Sequence, residues 1–151
     1  MVTTMTNAVR ELREAAGLSQ TELAARSGVA QPNIAAYEAG RRTASEAMLE
    51  RLRRATRPLP HDALAAHRDA LVALAHSCGL SNIRVFGSAV RGSDGPGSDL
   101  DLLVTRSAGT GLLTVAEFSE RASALLGVEV DVVTDGGLSG DHEIVASAVA
   151  V

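Results

Sequence analysis

The sequence has no tryptophan and no lysine, and it holds one cysteine, one tyrosine and two phenylalanines in 151 residues. With aromatics at 2%, any core must be assembled mainly from Ala, Val and Leu. The lone Cys78 excludes an intramolecular disulfide and a cysteine metal cage, and it reads as partly buried filler in a reduced, cytoplasmic setting. No apolar run approaches the roughly 18 residues of a membrane helix, so no membrane partner is expected. The opening MVTTMTNAVREL lacks the basic-then-apolar order of a signal peptide. Every one of the fourteen basic residues is arginine, which genome composition explains without invoking a site. The four histidines show no ligand spacing and read as surface or ordinary packing residues.

What is present is unevenly distributed. Hydrophobic residues make up 46% and charged residues 21%, a soluble globular balance with room for one domain or two small ones. Residues 1–60 carry nine Arg against six Glu, a balance of +3, and residues 61–151 carry five Arg against twelve Asp and Glu, a balance of −7. A basic half joined to an acidic half predicts an anionic partner for the first and cations for the second. TRPLPH (56–61) holds two of the four prolines and interrupts helical patterns on both sides. It predicts a boundary between domains at 1–57 and 58–151.

The first domain reads as helical throughout. Val9, Leu12 and Ala16 recur at helical spacing up to Gly17. Ser19-x-x-Glu22 is a capping box opening a second helix that runs to Gly28, and QPNIAAYEAG is a third helix ending at Gly40. Thr43-x-x-Glu46 predicts another capping box before a fourth, with Met48, Leu49 and Leu52 on one side. Two short helices joined by a glycine-containing turn are the mark of a helix-turn-helix. The stretch LSQTELAARSGVAQPNIAAYEAGRR resembles the Xre (lambda-repressor-like) DNA-binding family through Ser19-Gln20, Leu23-Ala24, Gly28-Val29, Gln31, Ile34, Glu38 and Gly40. The resemblance implies an all-α lambda-repressor-like unit whose third helix enters the major groove. It turns Gln31, Asn33 and Ala36 toward operator DNA, with Arg41 and Arg42 near phosphates. It also implies a homodimer on two-fold symmetric DNA. Ala30 stands where the family has Ser or Thr, so the cap of the reading helix is lost. Tyr37 reads as packing. A helical bundle for partner contact is the alternative.

The second domain alternates. DALAAHRDALVALAHSCG is an amphipathic helix, 82–86 a strand, 100–105 a second strand, VAEFSERASALLG a helix and 128–134 a third strand, with GDHEIVASAVAV as a last helix. That is an α/β pattern with a small mixed sheet. Within it, GSAVRGSDGPGSDLD (87–101) places Gly87-Ser88 directly after a strand, where backbone amides and a hydroxyl can hold phosphate oxygens. Asp99 and Asp101 lie two apart at a strand start, so both project from one face, with Leu100 and Leu102 on the other. Asp131 falls mid-strand among valines, where a carboxylate is costly unless paired or metal-bound. Asp94 and Asp135 read as solvated turn residues, and SDGPGS (93–98) as a flexible connection.

Gly-Ser, ten residues, Asp-x-Asp and a third Asp on a later strand resemble the DNA polymerase β-type nucleotidyltransferase signature. The fuller GSAVRG…SDLDLLV is similar to the minimal nucleotidyltransferases of prokaryotes. The resemblance implies a catalytic and metal-binding set of Asp99, Asp101 and Asp131, holding two Mg²⁺ ions. It implies that Gly87, Ser88, Arg91 and Ser98 bind the nucleotide, with ATP as donor. Such domains resemble antitoxins of toxin–antitoxin pairs, whose family chemistry is AMP transfer to a hydroxyl of a HEPN-type ribonuclease toxin encoded nearby. The expected function is a DNA-binding, autoregulating antitoxin that adenylylates its toxin or neutralises it by binding. The alternatives are a transcriptional regulator with an inactive, nucleotide-sensing domain, and a small-molecule nucleotidyltransferase of the aminoglycoside-modifying kind.

Overall fold

The structure is a computed structural model describing residues 3–151. It separates into two compact units, Met1–Arg57 and Pro58–Val151.

The first unit holds helices α1 (Thr3–Ala15), α2 (Gln20–Ser27), α3 (Gln31–Glu38) and α4 (Glu46–Ala55). Ser19 caps α2 through the expected capping box, and Gly28 closes it in the left-handed conformation at φ 68°. Helix α4 departs from expectation: Ser45, and not Thr43, accepts the Met48 amide, so the helix starts two residues later than a Thr43 cap would require. Short side chains of several kinds can cap, and backbone geometry selects among them. Helix α3 has no side-chain cap at Ala30, and Pro32 lies in its first turn. Val9, Leu23, Ile34, Tyr37, Leu49 and Leu52 form the core. Burying each of the larger ones is worth about 1.5–3 kcal/mol.

The second unit is a four-stranded sheet of β1 (Leu80–Phe86), β2 (Leu100–Arg106), β3 (Val130–Thr134) and β4 (Val149–Ala150), ordered β3-β2-β1-β4. Strand β2 runs antiparallel to β1 and parallel to β3, while β4 pairs antiparallel with β1. Helices α5 (Pro60–Ser77) and α7 (Leu112–Leu126) back one face, meeting Leu100, Leu102 and Val104 through Leu71 and Phe118. A four-residue helix α6 (Ser88–Arg91) follows β1, and α8 (Glu143–Ser147) precedes β4. The chain end is therefore not one helix: it forms α8 and then an edge strand, because Val149 and Ala150 supply backbone partners to Val85 and Arg84. Leu102, Leu103 and Val104 are all fully buried, so β2 is covered on both faces.

Candidate active site and reading surface

Strand β1 delivers the chain to Gly87, whose φ of 76° and ψ of −146° are open essentially to glycine alone. The turn then enters α6, which Gly92 closes in the left-handed conformation. Glycine serves a second purpose at position 87. A Cβ there would collide with the Asp101 carboxylate and lie 3.3 Å from its Cγ. The backbone of the Gly87–Ser88 turn and the Asp101 side chain are thus in direct apposition.

Asp101 sits in the middle of three strands, with Phe86 as its partner on β1 and Asp131 as its partner on β3. Parallel in-register pairing sends partner side chains to the same face, so the two carboxylates are neighbours. Burial pushes the Asp101 carboxyl above its usual range, and the charges of Asp131 and Asp99 push it further, against the pull of Arg91. Asp99 precedes β2 and is exposed. Asp131 is exposed too, which corrects the expectation of a buried mid-strand carboxylate: β3 is an edge strand and its open side reaches solvent. Among the described residues, no three His, Cys, Asp or Glu side chains close on one point as they stand. The donor set nonetheless fits a hard divalent cation: it is all carboxylate oxygen, and like charge already presses on Asp101.

The rest of the motif is held by its own hydrogen bonds. Ser88 opens α6, and its carbonyl accepts the Ser93 amide. Arg91 is exposed on α6. The Ser98 hydroxyl accepts the Gly95 amide at 2.9 Å, closing a turn in the loop. SDGPGS is consequently not a loose connection. Its Asp94 is not solvated either: the side chain is 0% exposed and bonds His61 of α5. Asp135 departs from expectation in the same way, accepting from Arg84 Nη2 and from Thr105 Oγ1, each at 2.6 Å. Burial raises its carboxyl, but the Thr105 and Arg84 bonds outweigh that and hold it below the ordinary range. Arg84, Thr105 and Asp135 tie β1, β2 and the end of β3 together on the sheet. Neither aspartate carried a sequence signal of this role, since both lie beside glycines as turn aspartates do.

In the first unit, α3 is fixed from below by Glu38. Its side chain is 1% exposed and accepts from Arg13 at 2.7 and 3.0 Å and from Gln20 at 3.0 Å, with Arg10 at 3.4 Å. The Arg13 bonds, aided by Gln20 and opposed by burial, hold its carboxyl below the usual range. Gln31 donates to Gln20 Oε1 at 2.9 Å, and Arg42 Nη1 donates to Asn33 Oδ1 at 2.8 Å. Ala36 is half-buried, its carbonyl accepts the amides of Arg41 and Arg42, and Arg41 is exposed. The structure thus groups Gln31, Asn33 and Arg42 with their partners along one short helix and the turn after it. Glu38 and Arg13, which orient that helix, were not singled out as site residues from sequence.

Comparison with known proteins agrees with both units. A helix-turn-helix family matches residues 9–64, and a nucleotidyltransferase domain family matches residues 67–147, more than half of the chain. Protein adenylyltransferase MntA of Thermococcus cleftensis is 43% identical over 60 residues, covering 40% of this chain and 61% of the relative. The chain therefore spans about three fifths of that relative. A solved structure described as a minimal nucleotidyltransferase shares 36% identity at a TM-score of 0.54, covering 60% of this chain and 95% of its own. The chain is a helix-turn-helix unit fused to a minimal nucleotidyltransferase domain, and it belongs to the nucleotidyltransferase domain family.

Proposed function

We propose that this chain is a DNA-binding, autoregulating antitoxin whose second unit transfers AMP from ATP to a hydroxyl of a cognate toxin, neutralising it by that modification or by binding. The observation that carries the transferase reading is the apposition of Gly87, Asp101 and Asp131, a phosphate turn closed directly onto a carboxylate pair. The likeness to a protein adenylyltransferase supports a protein acceptor over a small molecule. The likeness to a helix-turn-helix family supports operator binding, with Gln31, Asn33 and Ala36 toward bases and Arg41 and Arg42 toward phosphates.

In this reading the Gly87–Ser88 turn and Arg91 hold the triphosphate. Asp99, Asp101 and Asp131 hold divalent cations, Mg²⁺ by their oxygen donors, which neutralise charge on the phosphates and the leaving group when bound. The acceptor oxygen bonds to the α-phosphorus, the bond from that phosphorus to the bridging oxygen breaks, and pyrophosphate leaves. Asp131, exposed at the sheet edge, takes the acceptor proton.

The test is incubation of the chain with labelled ATP, Mg²⁺ and the product of the adjacent gene, a HEPN-type ribonuclease in this reading. Label on that protein, abolished by Asp99→Ala with Asp101→Ala, upholds it. The alternative is a transcriptional regulator that joins the same helix-turn-helix unit to an inactive, nucleotide-sensing domain. Nucleotide binding without transfer, with operator affinity that depends on nucleotide, would establish that reading instead. Label on an aminoglycoside-like acceptor alone would overturn both.

A further inference from the structure

Helix α5 begins without a cap of its own. Its N-cap residue Leu59 makes no side-chain hydrogen bond, and Pro60 stands in its first turn. The amide of His61 is satisfied from 33 residues away, by Asp94 Oδ2 at 2.9 Å. The His61 Nδ1 lies 2.8 Å from both Asp94 oxygens. The Asp94 side chain is wholly shielded, while the His61 side chain is 48% exposed. Asp94 therefore acts as a long-range N-cap with an added imidazole–carboxylate bond.

The position of Asp94 gives this bond its meaning. It lies in the loop between the end of α6 and the start of β2, which separates Ser88 from Asp99. Gly92, Gly95 and Gly97 give that loop wide backbone freedom, and ordering free glycine backbone at each binding event is costly. Two bonds remove the freedom beforehand: Ser98 to Gly95 within the loop, and Asp94 to His61 outside it. We infer that Asp94 and His61 are a positioning pair for the nucleotide site, holding the Gly92–Ser98 loop so that the phosphate turn and the carboxylates face one nucleotide. The inference rests on the reading of that site given above.

The pair brings a pH dependence with it. His61 faces Asp94 from the loop and Asp62, 3.2 Å from Nε2, on its own helix, and Arg68 lines the same groove of about 300 Å³. The Asp94 bond raises the His61 value, burial opposes it, and the Asp94 and Asp62 charges add to it. A raised imidazole stabilises fully below its unfolded value, and that contribution is lost as pH rises through the raised one.

Full-length wild type, Asp94→Ala and Asp94→Asn are compared by amide hydrogen exchange over 92–98 and by MgATP titration. Exchange in the loop should quicken in both variants. The MgATP Kd should rise roughly tenfold or more in Asp94→Ala, with Asp94→Asn between. The ratio of the Asp94→Asn and wild-type Kd values should be largest at low pH and shrink as pH rises through the His61 value. Taking the ratio cancels the titration of ATP and of the carboxylates. Lowered melting with loop exchange and the Kd ratio unchanged would assign the pair to stability alone and overturn the inference. Wild type failing to bind MgATP would sink the reading of the site. Loop exchange would then decide, with protection lost in Asp94→Asn upholding the clamp and protection kept overturning it.

Discussion

The place a side chain at Gly87 would need is filled by the carboxylate of Asp101. Turn and carboxylate are built against one another, and this predicts the outcome of two glycine substitutions. Gly87→Ala carries a backbone cost of about 1–3 kcal/mol and also displaces Asp101. Gly127→Ala, at φ 68° with an ordinary 3.7 Å contact to Pro58, carries only the left-handed cost of about 1–2 kcal/mol. Both variants should melt earlier, but only Gly87→Ala should lose nucleotide binding and transfer. Paired thermal melts and MgATP titrations check this, and equal loss of binding in the two would refute it.

The helix-turn-helix unit and the mixed α/β unit were legible because their signals are local. A capping box, a glycine C-cap and a ten-residue spacing each depend on neighbours in the chain. Asp99 and Asp101 on one face of β2 also followed from period-two alternation, whereas the register that sets Asp131 beside Asp101 comes from the sheet itself. What escaped depended on distant partners. Asp94 looks like any aspartate among glycines until His61 arrives from 33 residues away. Asp135 likewise takes its meaning from Arg84 and Thr105 on other strands. Strand β4 is two residues long and exists only through its pairing with β1. The exposure of Asp131 follows from sheet order, which periodicity does not encode.

Asp101 and Asp131 should trade stability against function. With no cation present, like charge and burial both oppose the ionised Asp101. A carboxyl whose value is raised on folding stabilises at low pH and loses that contribution as pH rises above its unfolded value. Asp101→Asn should therefore melt higher than wild type at neutral pH without Mg²⁺, and should lose transfer. Added Mg²⁺ should raise the wild-type melting temperature by mass action and leave Asp101→Asn unmoved. Scanning fluorimetry with and without Mg²⁺ reads both effects, and equal Mg²⁺ response in the two proteins would count against a cation at Asp101.

The two arginines after α3 should act differently on DNA. Arg41 is exposed, so Arg41→Ala should weaken binding to all sequences alike and reduce the salt slope by about one. Arg42 holds the Asn33 carboxamide oxygen, which fixes which way the amide presents its donors. Arg42→Ala should therefore lower the slope and also relax preference at the base that Asn33 meets, by about 1–3 kcal/mol of discrimination. Operator and scrambled-site titrations over a salt series separate the two, and unchanged preference in Arg42→Ala would remove Asn33 from base reading.

Glu38 should govern the acid stability of the first unit. Its carboxylate is shielded and shared by Arg13, Gln20 and Arg10, so replacing it leaves the half-buried Arg13 with only the Leu18 carbonyl and the more distant Glu14 carboxylate. Glu38→Ala should cost about 3–5 kcal/mol, as loss of one member of a buried pair does. Glu38→Gln keeps the shape and loses the charge, and should fall between. The sign with pH follows from the lowered carboxyl: the contribution is present above the unfolded value and is lost as pH falls through the folded one. Wild type should accordingly lose helical signal from this unit as pH drops below the ordinary carboxylate range. In Glu38→Gln the same melt should depend far less on pH over that window. Circular dichroism melts from neutral to acid pH measure this, and parallel pH profiles for the two proteins would show that Glu38 does not set the acid limit.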